Sequence, residues 1–292
     1  MPVNPFKPGG ANIQIVLDKP DGPYFLGDYV EVEICLSPDK DLHIDELWCG
    51  LHAWERITTE DSDGYSTNWS TVDEYVTRET LRANFDLQAG VQRTFRLRLW
   101  IPKDAFPPAE GISISAGWDI EAHLDLAEGK RDIVGKTALP LVVPPSGENV
   151  GEGEYGDASH PDEVDMRLRL PALDYSEGTA VEGALIVEPL KGFNANEVRI
   201  QLLRVELGHG SRVRTNHTIR IDQHKLEGKV RFIPGGIQNF PFSFDIPIQN
   251  SPSRSTRSAT ITYILQGVLS RRFRKDYCVD AEISLYGGEA GD

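Results

Sequence analysis

Apolar and polar residues alternate with a period of two along most of the chain. Ile13, Ile15 and Leu17 begin the pattern, and Val30, Val32, Ile34 and Leu36 continue it, with Glu31, Glu33 and Cys35 between them. Such alternation is the signature of a half-buried strand, with one face to a core and one to water. Leu47, Cys49, Leu51 and Ala53 predict the next strand, Leu81 to Leu87 another, and Phe95, Leu97, Leu99 and Ile101 a further one. Ile112 to Leu124 predicts a long strand, Glu128-Gly-Lys130 a hairpin turn, and Val134 to Val143 the returning strand. Thr58 to Asp73 breaks the rhythm: it is polar and acidic, and predicts a hairpin loop carrying Tyr65 and Trp69. No helical stripe longer than a turn or two occurs. The pattern predicts an all-β protein of short antiparallel strands, two tandem immunoglobulin-like β-sandwiches.

The pattern also repeats. Tyr24, Gly27, Val30 and Glu31 recur as Tyr175, Gly178, Val181 and Glu182, at an offset of 151 residues. Pro38 with Pro189, Leu51 with Leu202 and Glu55 with Glu206 keep that offset. Beyond the acidic stretch the offset is 145. It pairs Gly90 with Gly235, Trp118 with Tyr263, Leu124 with Leu269, and Phe95-Arg-Leu-Arg-Leu-Trp-Ile-Pro102 with Phe240-Pro-Phe-Ser-Phe-Asp-Ile-Pro247. Loops absorb a six-residue difference of this kind, and strand cores do not. The duplication predicts a first domain over 1–145, a Gly-, Pro- and acid-rich linker over 146–163 and a second domain over 164–292. Repeated Gly and Pro have scaffold reasons: Gly27 and Gly178 supply φ > 0 before a strand, and Pro102 and Pro247 end one.

With these motifs in hand, the chain resembles the arrestin-fold superfamily. Four pieces carry the resemblance, in order and twice over. They are Tyr-x-x-Gly-x-x-Val, the strand ending at Glu55 or Glu206, the Phe-to-Ile-Pro strand, and a long aromatic-containing strand (Ala116 to Ala122; Ile261 to Gly267). The first half is most similar to bacterial sporulation-control proteins, and the second also to arrestin C-terminal domains and the arrestin-like subunit of retromer. The resemblance implies two arrestin-like sandwiches side by side and a role in binding proteins rather than converting substrates. In arrestins, activation turns on a buried charge cluster, a gate loop and an autoinhibitory tail. Here Ile246 to Thr260 is too short for that loop, and little chain follows Ile283-Ser-Leu-Tyr286. No phosphate-sensing residue is carried over.

Composition narrows the partners. The 292 residues carry a formal net charge of −15. Residues 1–163 hold 13 Lys and Arg against 30 Asp and Glu, a net −17, and residues 164–292 hold 17 against 15, a net +2. The acidic half repels phosphate backbones, so no nucleic-acid partner is expected. Three cysteines (Cys35, Cys49, Cys278) form no disulfide framework and fit reduced thiols in the cytoplasm. Neither a signal peptide nor a transmembrane segment is expected.

Candidate chemistry is sparse. His209, His217 and His224 fall in one expected hairpin but match no metal-ligand spacing, and read as solvated. Asp61-Ser-Asp-Gly64 resembles a fragment of a calcium loop and lacks its later ligands. Cys35 and Cys49, if adjacent across two strands, read as packing residues. No catalytic, metal or cofactor site is expected. The densest basic cluster is Arg254, Arg257, Arg271, Arg272, Arg274 and Lys275, the last four in a hairpin turn. Arg271, Arg272, Arg274 and Lys275, with Tyr65 and Trp69 of the acidic loop, are the candidate partner-binding residues. The expectation is a non-enzymatic adaptor or scaffold acting on other proteins or on a second copy of itself, in bacterial regulation or sporulation control. The alternative is a carbohydrate- or calcium-binding β-sandwich module.

Overall fold

The structure, a computed structural model, describes residues 10–60, 66–127, 131–143, 151–210 and 213–287. Among them there is no helix, and the fold is all-β, built from antiparallel sheets in a sandwich-like arrangement. No helix is long and apolar enough to cross a membrane.

Fourteen strands have six residues or more. The first seven are β1 (Ala11–Leu17), β2 (Tyr29–Pro38), β3 (Leu42–Glu60), β4 (Ser66–Leu87), β5 (Arg93–Trp100), β6 (Ile114–Leu126) and β7 (Ile133–Ala138). The other seven are β8 (Val164–Leu170), β9 (Ala180–Pro189), β10 (Glu197–Gly210), β11 (Val213–Glu227), β12 (Gln238–Asp245), β13 (Ala259–Ser270) and β14 (Tyr277–Tyr286). One sheet runs β1-β2-β5 and another β4-β3-β6, with β7 on β6. Later in the chain one sheet runs β8-β9-β12 and another β11-β10-β13-β14. Strand for strand, the second order is the first with seven added.

The described chain groups into two compact units. The first holds residues 1–56, 70–108 and 116–143, and the second holds residues 57–69, 109–115 and 144–292. Each has its own apolar core drawn from both of its sheets. In the first, Val30, Val32, Ile34 and Leu36 of β2 meet Leu47, Cys49 and Leu51 of β3 and Trp118, Ile120 and Leu124 of β6. In the second, Val181, Leu185 and Val187 of β9 meet Val198, Ile200 and Leu202 of β10 and Ile261, Tyr263 and Leu265 of β13. Burial of these alternating residues is the main force holding each pair of sheets together.

The repeated residues form the same backbone bonds in each unit. Gly27 N–H donates to the Ile101 carbonyl (3.1 Å) and Gly178 N–H to that of Ile246 (2.9 Å). In return Ile101 N–H donates to Asp28 and Ile246 N–H to Thr179, both at 2.9 Å. Gly90 N–H closes on the Pro38 carbonyl (2.8 Å) and Gly235 N–H on that of Pro189 (3.3 Å). All four glycines have positive φ, +83° and +84° at the first pair and +72° and +79° at the second. Only glycine adopts this region without strain, which is why the pattern keeps it.

Three expectations need correction. The polar stretch 58–73 is mostly strand: β3 runs on to Glu60 and β4 begins at Ser66. Threonines 58, 59, 67 and 71 favour extended backbone, and their polarity concealed it. Tyr65 and Asp61–Gly64 lie outside the described residues, as do the whole Glu128–Lys130 turn and residues 144–150. The long strand expected from Ile112 starts at Ile114 instead. The amides of Ile112, Ser113 and Ile114 turn to the Glu206 carboxylate, at 3.0, 2.7 and 3.2 Å. Cys35 and Cys49 are not neighbours, since β2 and β3 lie in different sheets. Burial pushes the Cys49 thiol up to about 12, so it packs as a neutral group. In the stretch expected as a linker, Gly153–Tyr155 pairs with β8 and Asp157–Ala158 with β14.

Candidate functional site

Three places on the described chain combine exposure or polarity with organised geometry: the turn after β13, the outer edge of β11, and one face of the β4-β3-β6-β7 sheet.

The turn holds the basic residues singled out above. Its first member, Arg271, is built into the structure: its side chain is 9% exposed and its guanidinium lies 3.5 Å from the Tyr277 ring centroid. It donates to the Lys275 carbonyl at 2.8 Å and pairs with Glu163 at 3.8 Å. Arg272, Arg274 and Lys275 are exposed around Phe273, which is 92% exposed at φ +58°. Arg257 is exposed elsewhere in the same unit, while Arg254 is buried. Trp69, near the start of β4, is 37% exposed.

Along its length β11 pairs with β10, with Val213 opposite Gly210 and Glu227 opposite Val198. Among the described residues it has no strand on its other side. Most of its side chains from Arg214 to Glu227 are exposed. His209, His217 and His224 are exposed at separate rungs, opposite Arg214, Glu206 and Ile200, and do not converge on one point.

The third place is a buried polar cluster within the first unit, on the sheet face turned away from the core. On β3 the core takes Leu47, Cys49, Leu51 and Ala53, so the pleat sends Trp48, His52 and Trp54 to the opposite face. On β6 the core takes Trp118, Ile120, Ala122 and Leu124, which leaves Asp119, Glu121 and His123 beside His52. Lys136 of β7 pairs in register with Glu121, and β4 adds Asp73 and Tyr75. The His52, Glu121 and Asp119 side chains are only 10%, 10% and 7% exposed.

Contacts here are dense. His52 Nε2 meets Asp73 Oδ1 at 2.7 Å, and His52 Nδ1 faces Glu121 Oε1 at 3.2 Å. The Tyr75 hydroxyl donates to Glu121 Oε2 at 2.5 Å, and His123 Nε2 lies 2.9 Å from that hydroxyl. The Lys136 ammonium sits 2.7 Å from Asp119 Oδ2 and 3.1 Å from Glu121 Oε1. The ring of Trp48 stacks on His123 at 3.8 Å, and Arg78 covers Trp48 at 4.2 Å. Burial works against ionisation of Glu121, but hydrogen bonds from Tyr75 and Lys136 outweigh it and hold the carboxyl below its usual range. Burial and the bond to Glu121 raise the Tyr75 phenol, which stays a donor. For Lys136, the two carboxylates outweigh burial and keep the ammonium charged.

One atom each of His52, Asp119 and Glu121 lie within 4.8 Å of one another, a spacing that can hold a metal ion. This cluster was absent from the expectations. Its signal was present, though: Asp119-x-Glu121-x-His123 places three ligand-type residues on one strand face, and His52 alternates with core positions on β3.

Comparison with known protein families finds no model that matches the chain, and comparison with curated proteins finds no match.

Proposed function

We propose that the protein is a non-enzymatic, arrestin-like adaptor: two tandem sandwiches that hold a protein partner in extended form by strand addition. The observation that carries this reading is β11, a 15-residue strand with one side of its ladder open among the described residues. An open edge offers a row of amides and carbonyls to an incoming strand, which supplies affinity, while alternate side chains supply specificity. Arg214, Arg220, Asp222, Lys225 and Glu227 line this edge with mixed charge, which disfavours indiscriminate pairing and selects a partner of matching pattern. Support for the two-sandwich part of this reading comes from the strand order that the two halves share and from the matching Gly27/Gly178 and Gly90/Gly235 turns. The exposed Arg272, Arg274 and Lys275 suit a partner with acidic residues beside its bound strand.

The test uses two neighbouring proline substitutions in the regular part of β11, Asn216→Pro and His217→Pro. Adjacent amides of a strand point to opposite sides. One proline therefore breaks the ladder to β10 and lowers the melting temperature, and the other removes an outward amide and leaves it nearly unchanged. Strand addition predicts that a partner captured by the full chain is lost with the stable variant. Retention of that partner by both variants contradicts it.

A further inference from the structure

We propose that the buried cluster on the β4-β3-β6-β7 face is a site for one zinc-class divalent ion, ligated by His52 Nδ1, Asp119 Oδ2 and Glu121 Oε1. The argument starts with His52. Its Nε2 lies 2.7 Å from Asp73 Oδ1, and a carboxylate only accepts, so Nε2 carries the proton. The other nitrogen, Nδ1, is buried without a hydrogen-bond partner, on a side chain nine-tenths buried, and faces Glu121 Oε1 at 3.2 Å. A neutral imidazole in that position turns a lone pair toward a carboxylate, and a cation between them relieves both.

The surroundings match a metal site in a second respect. Each candidate ligand except Asp119 has its remaining polar atom tied down: His52 Nε2 by Asp73, and Glu121 Oε2 by Tyr75 and His123. Carboxylate-to-imidazole bonds of this kind fix the tautomer and orientation of metal-bound histidines. One nitrogen and two oxygens suit zinc or manganese better than calcium, which prefers an all-oxygen shell. The position is already cationic. The Lys136 ammonium bridges Asp119 Oδ2 and Glu121 Oε1, and its side chain is 47% exposed, so it can swing into water when an ion displaces it. Lys136 thus serves as an exchangeable counter-ion for the two carboxylates. The bound ion would clamp β3 to β6 within the first unit.

The test titrates the metal-stripped full chain with zinc chloride alone, followed by calorimetry and by metal analysis of the desalted protein. One equivalent per chain is expected. His52→Gln should weaken binding by about a hundredfold, and Asp73→Asn by about tenfold. Lys136→Met removes the competitor and should tighten binding by about tenfold. It should also lower the melting temperature without zinc and increase the rise that zinc produces. The Lys136 and Asp73 side chains are 47% and 68% exposed, so these two variants decide the matter should His52→Gln fail to fold. Cobalt in place of zinc should give a visible absorption band that Asp73→Asn shifts. Absence of a stoichiometric equivalent overturns the proposal; so does equal zinc binding by wild type, His52→Gln and Lys136→Met, which would place the ion on exposed histidines. A proton on Nδ1 that bridges His52 to Glu121 would give the first of these results.

Discussion

Glu206 is fully buried, and its carboxylate accepts from the amides of Ile112, Ser113 and Ile114 and from the Ser113 hydroxyl (2.9 Å), beside Arg204 Nε at 2.9 Å. A Cβ on Gly111 would meet the Ile114 carbonyl at 2.6 Å and this carboxylate at 2.8 Å, so the segment from 111 to 114 admits only glycine there. Removal of the carboxylate leaves three amides without this acceptor and the Arg204 guanidinium without this ion-pair partner. Glu206→Ala should cost about 3–5 kcal/mol, read as a fall in the urea midpoint of the second unit, and Glu206→Gln should cost less. A loss below about 1 kcal/mol for the alanine variant would mean that this carboxylate does not hold residues 111 to 114 in place. Asp18 offers a pH test at the same scale. Burial works to raise its carboxyl, but the Tyr24 hydroxyl (2.7 Å) and the Glu31 amide (3.0 Å) outweigh burial and lower it. Its contribution is therefore present above the ordinary value of 3.8 and disappears as pH falls through the folded value. Asp18→Asn should flatten that acid limb of the stability curve; an unchanged limb would mean that Asp18 does not couple to folding.

At the scale of elements, alternation marked the strand cores because a pleat sends every second side chain inward. It was blind where a strand buries neither face or where both faces are filled. Residues 58–60 and 66–73 are polar strand and read as loop, and the His52 cluster sits on a face that alternation assigns to water. Composition could not separate these cases, because burial of Asp119 and Glu121 depends on which strands lie beside β6. Turns were more legible. Gly90 and Gly235 both have positive φ, and nothing lies within 4 Å of a Cβ built on either. Substitution by alanine is therefore a conformational cost alone, about 1 kcal/mol at each, and the two should agree within a few tenths. Thermal melts of the two single variants check this. A loss at one position and none at the other would mean that the repeat is not a shared folding rule.

At the scale of the whole molecule, the paired turns were readable because the same residues make the same backbone bonds twice, and the open edge of β11 was not, because an edge is defined by which strand lies beside it. Strand order, not periodicity, reveals that β11 ends its sheet among the described residues. The hairpin residues illustrate the same gap. Arg271 looked equivalent to Arg272 and Arg274 in the sequence, yet it is held against Tyr277 and Glu163 while they are exposed. Charge reversal at Arg272, Arg274 and Lys275 should slow partner association several-fold and weaken its salt dependence, with no change in melting temperature. An unchanged association rate would exclude this turn from the interface. Amide hydrogen exchange of the full chain, with and without its captured partner, tests strand addition most directly. Strand addition predicts new protection at every second amide from Val213 to Arg220, where the pairing with β10 is regular, because only outward N–H groups gain a bond. Protection confined to other segments, or absent from this strand, would contradict it.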